Sequence, residues 1–236
     1  MKAVIVAAGL GSRLSPHTDN KPKGLIEIAG IPLLERTVSF FERTGIGPII
    51  LIVGYRHLQY RDYFGDRVLY EANPFFSESN NMASLWFARH HLRDESFCYL
   101  HSDLLCHDEI LRKTVSQPLT GGRLLVDFST VDEEAMKVTI DEDQNLLSSS
   151  KSIQLKEAAG EWTGLAAFDA STGNALLSEI EGLLLDGHLM DYDTLAFTNL
   201  AASGHKIQCR ATTGKPWIEI DFPQDLERAL EMVKTL

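Results

Sequence analysis

Basic residues are scarce in this chain: 22 Lys and Arg stand against 33 Asp and Glu, a formal net charge of −11 at pH 7. That balance excludes broad, non-specific binding to nucleic acid. Any anionic ligand must be drawn in by cations placed locally against an adverse overall field. Cysteine is scarcer still. Cys98, Cys106 and Cys209 are odd in number and form no CxxC pair, so reduced thiols in a cytoplasm are the default. No apolar run approaches the ~18–20 residues of a membrane span. Met1-Lys2 leads directly into a short strand rather than into the long apolar region of a signal peptide, so no membrane insertion is expected. The eight histidines include His90-His91, His101 and His107, but none forms an i, i+4 pair around a glutamate, which argues against zinc. Internal repeats, low-complexity tracts and long linkers are also missing.

What is present suffices for one large domain with a substantial core: 236 residues, 44% hydrophobic and 23% charged. Strand and helix patterns alternate through the first half. An apolar strand over 3–8 is followed by a helix from Pro32 to Gly45 and a continuous apolar run over 48–53. A short helix over 57–64, a strand over 67–70, a helix over 82–92 and a buried strand over 96–101 come next. Such alternation implies a parallel sheet with helices on both faces. The middle changes character, with short strand-like pieces over 121–128, 136–140 and 146–150. Helices are predicted over 172–185 and 192–203, strands over 206–210 and 217–220, and a closing helix from Pro223. The expected architecture is a single α/β, Rossmann-like domain over 1–236. Its mostly parallel mixed sheet is flanked by helices, and a small inserted β-lobe lies at about 121–165.

The densest signal lies between Lys2 and Ile28, where a strand runs into a glycine-rich turn, Arg13 follows, and Lys21-Pro22-Lys23 comes shortly after. Ala7, Ala8, Gly9 and Gly11 put little side chain in the way, so a bound anion could touch backbone N–H groups directly. Two familiar loops are excluded. A P-loop would close with Lys-Ser/Thr where this chain reads Gly11-Ser12-Arg13-Leu14, and a dinucleotide fingerprint would need a glycine at Leu14. Parallel sheets bind ligands beyond the carboxyl ends of their strands. There the chain places Ser102-Asp103 after one strand and Asp221 after another, a pair that suits a divalent cation bridging to phosphate oxygens. The competing readings are a turn cap for Asp103 and service to the following helix for Asp221. Taken alone, Lys137 reads as a surface lysine on an edge strand, and Glu161, Asp191 and Asp193 as solvated charges.

These residues resemble the nucleotidyltransferases that join a nucleoside triphosphate to a phosphorylated small molecule. The resemblance rests on AAGLGSRL followed by KPKGL, and then on Ile52-Val53-Gly54-Tyr55, the NNMASL stretch from Asn80, Leu100-His101-Ser102-Asp103 and the W-x-E-I-D ending at Asp221. The likeness is greatest to the short bacterial cytidylyltransferases that act on phosphocholine, 2-aminoethylphosphonate, inositol phosphate and related compounds. It implies that Ala7, Ala8, Gly9, Gly11 and Arg13 cradle the triphosphate, and that Asn80 and Ser84 lie on the base side. It further implies that Lys23 stabilises charge at the α-phosphate, with Arg13 as its catalytic partner, and that Asp103 and Asp221 hold magnesium. Lys137, with Glu161 and Trp217, would meet the acceptor. Two departures stand out. His101 occupies a position where relatives often carry a second acidic residue, and no aromatic residue near Ala135 boxes a quaternary ammonium. The implied reaction joins CTP to a small phosphorylated or phosphonylated substrate and releases pyrophosphate. A sugar-1-phosphate nucleotidyltransferase and a non-catalytic nucleotide sensor are the alternatives. The oligomeric state, homodimer included, is left open.

Overall fold

The computed structural model describes residues 1–129 and 131–236. The chain opens with β1 (Lys2–Ala7), passes the glycine loop and a ribbon of β2 (Glu27–Ile28) and β3 (Ile31–Pro32), and enters α1 (Leu33–Thr44). The alternation continues through β4 (Ile49–Val53), α2 (His57–Phe64), β5 (Leu69–Ala72), α3 (Asn81–Phe87), α4 (Arg89–Leu92) and β6 (Phe97–His101). A short β7 (Leu104–Cys106) and α5 (Asp108–Val115) lead to β8 (Gly122–Asp127), the hairpin of β9 (Lys137–Ile140) and β10 (Leu146–Ser150), and β11 (Gly160–Phe168). α6 (Ala170–Leu185), α7 (Asp193–Ala202), β12 (Ile207–Ala211), β13 (Trp217–Glu219) and α8 (Pro223–Met232) follow.

Nine strands form a mixed sheet in the order β10-β9-β11-β6-β1-β4-β5, with β8 and β12 continuing from the other edge of β11. Its centre is parallel, with β1 paired to both β4 and β6. β1 and β4 are buried on both faces because their residues alternate between two cores. Val4, Ile50 and Ile52 pack toward α3, α4, α6 and α7, whereas Ala3, Ile5, Ile49 and Leu51 pack toward α1, α2 and α5. The carboxyl ends of β1 and β6 therefore open side by side, at the glycine loop and at His101-Ser102-Asp103.

β11 is the strand that shapes the cleft. It is antiparallel to β6 and β8, while its first residues, Gly160 and Glu161, pair instead with β9. The register with β8 shifts between Trp162 and Ala166, and Gly164 sits in that shift with φ +76°. The hairpin thus peels away from β6 at the level of the cleft. Of the stretch 121–165 expected as an inserted lobe, β8 and β11 run within the main sheet, and β9 and β10 form the projecting part. A third apolar cluster (Leu14, Leu105, Ile218, Ile220 and Leu226 among its members) lies under α8. It seats β13 antiparallel to β7, and Ile220 N donates to Asp103 O at 3.0 Å.

Five elements were not expected from the sequence: β2, β3, β7, α5 and β11. β11 reads GEWTGLAAF, whose glycines, alanines and threonine carry little strand signal although nearly every position is buried. The helix expected over 82–92 is interrupted at Ala88, between α3 and α4.

A Cβ at Gly164 would stand 3.1 Å from Glu219 Oε1 and 3.2 Å from His101 Nδ1. Gly164→Ala is expected to cost about 1–2 kcal/mol from the left-handed backbone alone, measured by denaturant unfolding.

Candidate active site

A cleft of about 720 Å³ runs across the carboxyl ends of β1 and β6 and along β11. Every residue expected to hold nucleotide lines it: Ala7, Ala8, Gly9, Gly11, Arg13, Lys23, Asn80, Ser84 and Asp103. Gly11 takes a left-handed conformation, φ 64°, and turns the chain into a single 3-10 turn over Ser12–Leu14. Among the described residues no backbone carbonyl accepts from the N–H groups of Gly9, Leu10, Gly11, Ser12 or Arg13. Consecutive free donors on a loop without bulky side chains make an anion cradle.

The centre of the cleft is a charge cluster. Lys23 Nζ lies 2.7 Å from Asp103 Oδ2 and 2.5 Å from Asp221 Oδ1, and Arg13 reaches the other oxygen of Asp221 at 2.8 Å. The sequence expected these residues in one site, and the pairing of β13 with β7 is what joins them. Burial pulls the Lys23 ammonium down, but Asp103 and Asp221 more than reverse this and leave it raised. Burial pushes the Asp103 carboxyl up, and Lys23 and His101 bring it below its ordinary value. Asp221 lies outside the cap of α8: its own N–H and that of Phe222 donate to Asp225 Oδ2, at 3.1 and 2.8 Å.

Glu219 is a residue at the centre of the cleft that sequence reading passed over. Trp217, Glu219 and Asp221 all line the cleft, while Ile218 and Ile220 are buried beneath α8. That period-two alternation was legible in the W-x-E-I-D motif. Burial, Asp103 and Asp221 push the Glu219 carboxyl up to about 8. Glu219, Asp103 and His101 bring ligand atoms within 4.8 Å of one another, and Asp103 Oδ1 is buried without a hydrogen-bond partner. Crowded carboxylates with an unsatisfied buried oxygen fit a divalent cation.

His101 fills the position of the absent acidic residue, and its own counter-charge comes from elsewhere. Its Nε2 lies 3.1 Å from Asp193 Oδ2, from Tyr99 Oη and from Asn81 Nδ2. Asp193, read from sequence as a solvated charge, is fully buried and also accepts from the Tyr99 hydroxyl. Burial lowers the His101 imidazolium, but Asp193, Asp103 and Glu219 more than compensate and raise it to about 9.

Asn80 caps α3 through its side-chain oxygen and donates to Met190 O at 3.1 Å. Ser84 Oγ accepts from Asn73 Nδ2 at 2.9 Å. At the far end the structure departs most from expectation. Lys137 is fully buried rather than exposed on an edge, and its ammonium donates to the carbonyls of Glu133 and Lys151, at 2.7 and 2.8 Å. Lys151 lines the cleft instead, with Asp127, Asp132, Glu134, Glu161, Tyr192 and Trp217. Trp217 Nε1 donates to Asp127 Oδ2 at 2.7 Å.

Residues 3–169 match the MobA-like NTP transferase domain. The chain belongs to this family. MobA-like NTP transferases are nucleotidyltransferases, and this chain is an enzyme of that class. It is 27% identical to a choline-phosphate cytidylyltransferase of Streptococcus pneumoniae over 99% of both chains. It is 26% identical to a CMP-5′-(3-aminopropyl)phosphonate synthase of Streptomyces rubellomurinus, over 97% of this chain but only 38% of that protein's length. The structure of an inositol-1-phosphate CTP transferase from T. maritima superposes with a TM-score of 0.82 at 22% identity, covering 99% of this chain and 94% of that one; at that identity the likeness concerns the fold. Among the described residues no helix is long and apolar enough to cross a membrane.

Burial and the charges of Asp132 and Asp127 push the Glu161 carboxyl up to about 7, against Lys151 and Lys137. The folded state therefore binds the extra proton between the ordinary value, 4.5, and 7, so this group's contribution to stability is present at low pH and lost as pH rises through that window. Glu161→Gln is expected to leave Tm unchanged near pH 4.5 and to raise it by about 2 °C or more at pH 8, read by calorimetric scans at both values.

Proposed function

We propose that this chain is a magnesium-dependent cytidylyltransferase, with residues 1–236 acting as one nucleotidyltransferase unit. It would transfer CMP from CTP to the phosphate or phosphonate of a small alcohol or amine and release pyrophosphate. The observation that carries this reading is the meeting of Lys23 with Asp103 and Asp221 beside the free N–H groups of the glycine loop. The names of the relatives supply the nucleotide, CTP, and the two acceptor types, a phosphate ester and a phosphonate.

The acceptor's oxygen is already anionic at neutral pH, so no general base is required. The chemical difficulty is to bring two anions together in line and to stabilise the charge that builds on the departing pyrophosphate. The N–H groups of Gly9 to Arg13 bind and orient the triphosphate. Arg13 adds a guanidinium at the mouth of the loop, and Lys23 directs its ammonium to the α-phosphate. Asp103 and Asp221 would hold magnesium, with Glu219 beside them, and the bound ion would neutralise phosphate charge. His101 screens Asp103 and Glu219 from one another, and Asp193 keeps its ring in place.

The acceptor end favours a substrate that carries a cation. Asp127, Asp132, Glu134 and Glu161 supply negative charge there, and Tyr192 and Trp217 supply aromatic faces from segments distant from Ala135. A primary or quaternary ammonium satisfies this lining better than an uncharged sugar does.

Pyrophosphate release should be followed with CTP, UTP, dTTP, GTP and ATP against phosphocholine, 2-aminoethylphosphonate, inositol phosphate and glucose 1-phosphate. Turnover is expected with CTP and an amine-bearing acceptor, and to stop when divalent cations are chelated. Preference for UTP or dTTP with glucose 1-phosphate would favour a sugar-nucleotide enzyme, and nucleotide binding without any turnover a sensor. Asp103→Asn is expected to lower turnover at least about a hundredfold; near-normal turnover would remove Asp103 from the site.

A further inference from the structure

A cluster of metal-type ligands lies outside the cleft. Glu71, near the end of β5, pairs with Ile52 of β4, so its side chain leaves the sheet on the face that α3 and α4 cover. There its Oε1 lies 3.2 Å from His90 Nε2 and 2.7 Å from His91 Nε2, both carried on the single turn of α4. Adjacent helical residues ordinarily do not face one another. Here the two imidazole rings stand 4.1 Å apart, centre to centre, and aim the same nitrogen at one carboxylate oxygen. Each of the three side chains offers a ligand atom within 4.8 Å of the other two, and none of them lines the cleft. Lys2 Nζ donates to His91 O at 2.7 Å, which fastens the backbone under this pair to the start of β1.

We propose that Glu71, His90 and His91 bind a divalent transition-metal ion of the zinc type, apart from the magnesium site proposed in the cleft. Two imidazole nitrogens and one carboxylate oxygen suit zinc and its neighbours, whereas magnesium takes oxygen ligands. Ligands about 2.0–2.1 Å from a tetrahedral ion stand about 3.3 Å from one another. The 3.2 Å separation already meets this requirement, and the 2.7 Å one must open by about 0.6 Å. The His90 side chain is 57% exposed, so the outward side of the site is open for entry of the ion and for a water as fourth ligand. Coordination would replace the hydrogen bonds to Glu71 and clamp β5, the edge strand of the sheet, to α4. The sequence argued against zinc because no histidine pair brackets a glutamate. In the fold the glutamate comes from a separate strand, which local spacing does not record.

The test is calorimetric titration of the full chain, first freed of metal by chelation, with Zn2+ in the presence of excess magnesium. At least one equivalent is expected to bind, and Tm is expected to rise by about 5 °C or more when free Zn2+ stands a hundredfold above Kd. Glu71→Gln, His90→Ala and His91→Ala should each weaken that binding at least about tenfold, since even groups one shell outside a metal cost this much. His90→Ala removes an exposed side chain and keeps the comparison sound should the other two variants fold poorly. Asp103→Asn, in the cleft, should leave the Zn2+ affinity within about twofold, as expected of a distant, independent site. Absence of Zn2+ binding below about 100 μM, or binding that His90→Ala leaves unchanged, overturns the assignment. Binding lost in Asp103→Asn but kept in His90→Ala would place the ion in the cleft and overturns it as well.

Discussion

Three half-buried carboxylates, Asp103, Glu219 and Asp221, converge in the cleft, and the site depends on the cations that make this tolerable. Like charges at such separations repel where water is partly excluded. Lys23 answers the repulsion from one side with short bonds to both aspartates, and His101 answers it from the other. Arg13 completes the set on the outer oxygen of Asp221. The arrangement is therefore both a structural joint between β6 and the segment after β13 and a reservoir of negative charge able to receive a metal ion. It also places Lys23 and Arg13 beside the free N–H groups of the glycine loop, a local positive field within an acidic protein.

The half of the cleft around the glycine loop was legible in the sequence because its determinants are local. A glycine turn after an apolar strand, an arginine, a Pro-Lys pair and aspartates just beyond two strands can be read within short windows, and the fold brings all of them to one cleft. The opposite half, beside the hairpin, was less legible because its determinants are tertiary. Lys137 looked like an edge-strand lysine until the carbonyls of Glu133, before β9, and Lys151, after β10, closed on its ammonium. Asp193 looked solvated until Tyr99 and His101 closed over it. Tyr192 and Lys151 carry no motif at all, since each is brought to the cleft by packing rather than by spacing. The fold shows the same division. The strongly apolar strands and amphipathic α1 were readable, while β11, rich in small residues, was recognisable only by the neighbours that bury it.

β11 also links the two parts of the sheet. Its later residues run antiparallel beside β6, and its first residues pair with the hairpin. The shift at Gly164 lies between these parts, next to His101 and Glu219. The central strand β6 and the β9–β10 hairpin are thus joined through a single continuous strand, and their separation is set by covalent geometry more than by a flexible hinge.

The seating of β13 against β7 has a consequence in time as well as in space. The glycine loop, Lys23 and Asp103 all lie within the first half of the chain, whereas Glu219 and Asp221 come near its end. During synthesis the early elements can collapse into a sheet that already presents a phosphate loop, but with only one of the three central carboxylates in place. The closing ribbon and α8, docking over Leu14, Ile26 and Leu105, then act as the final fastening. A nascent chain would acquire its binding surface early and its full complement of charge last.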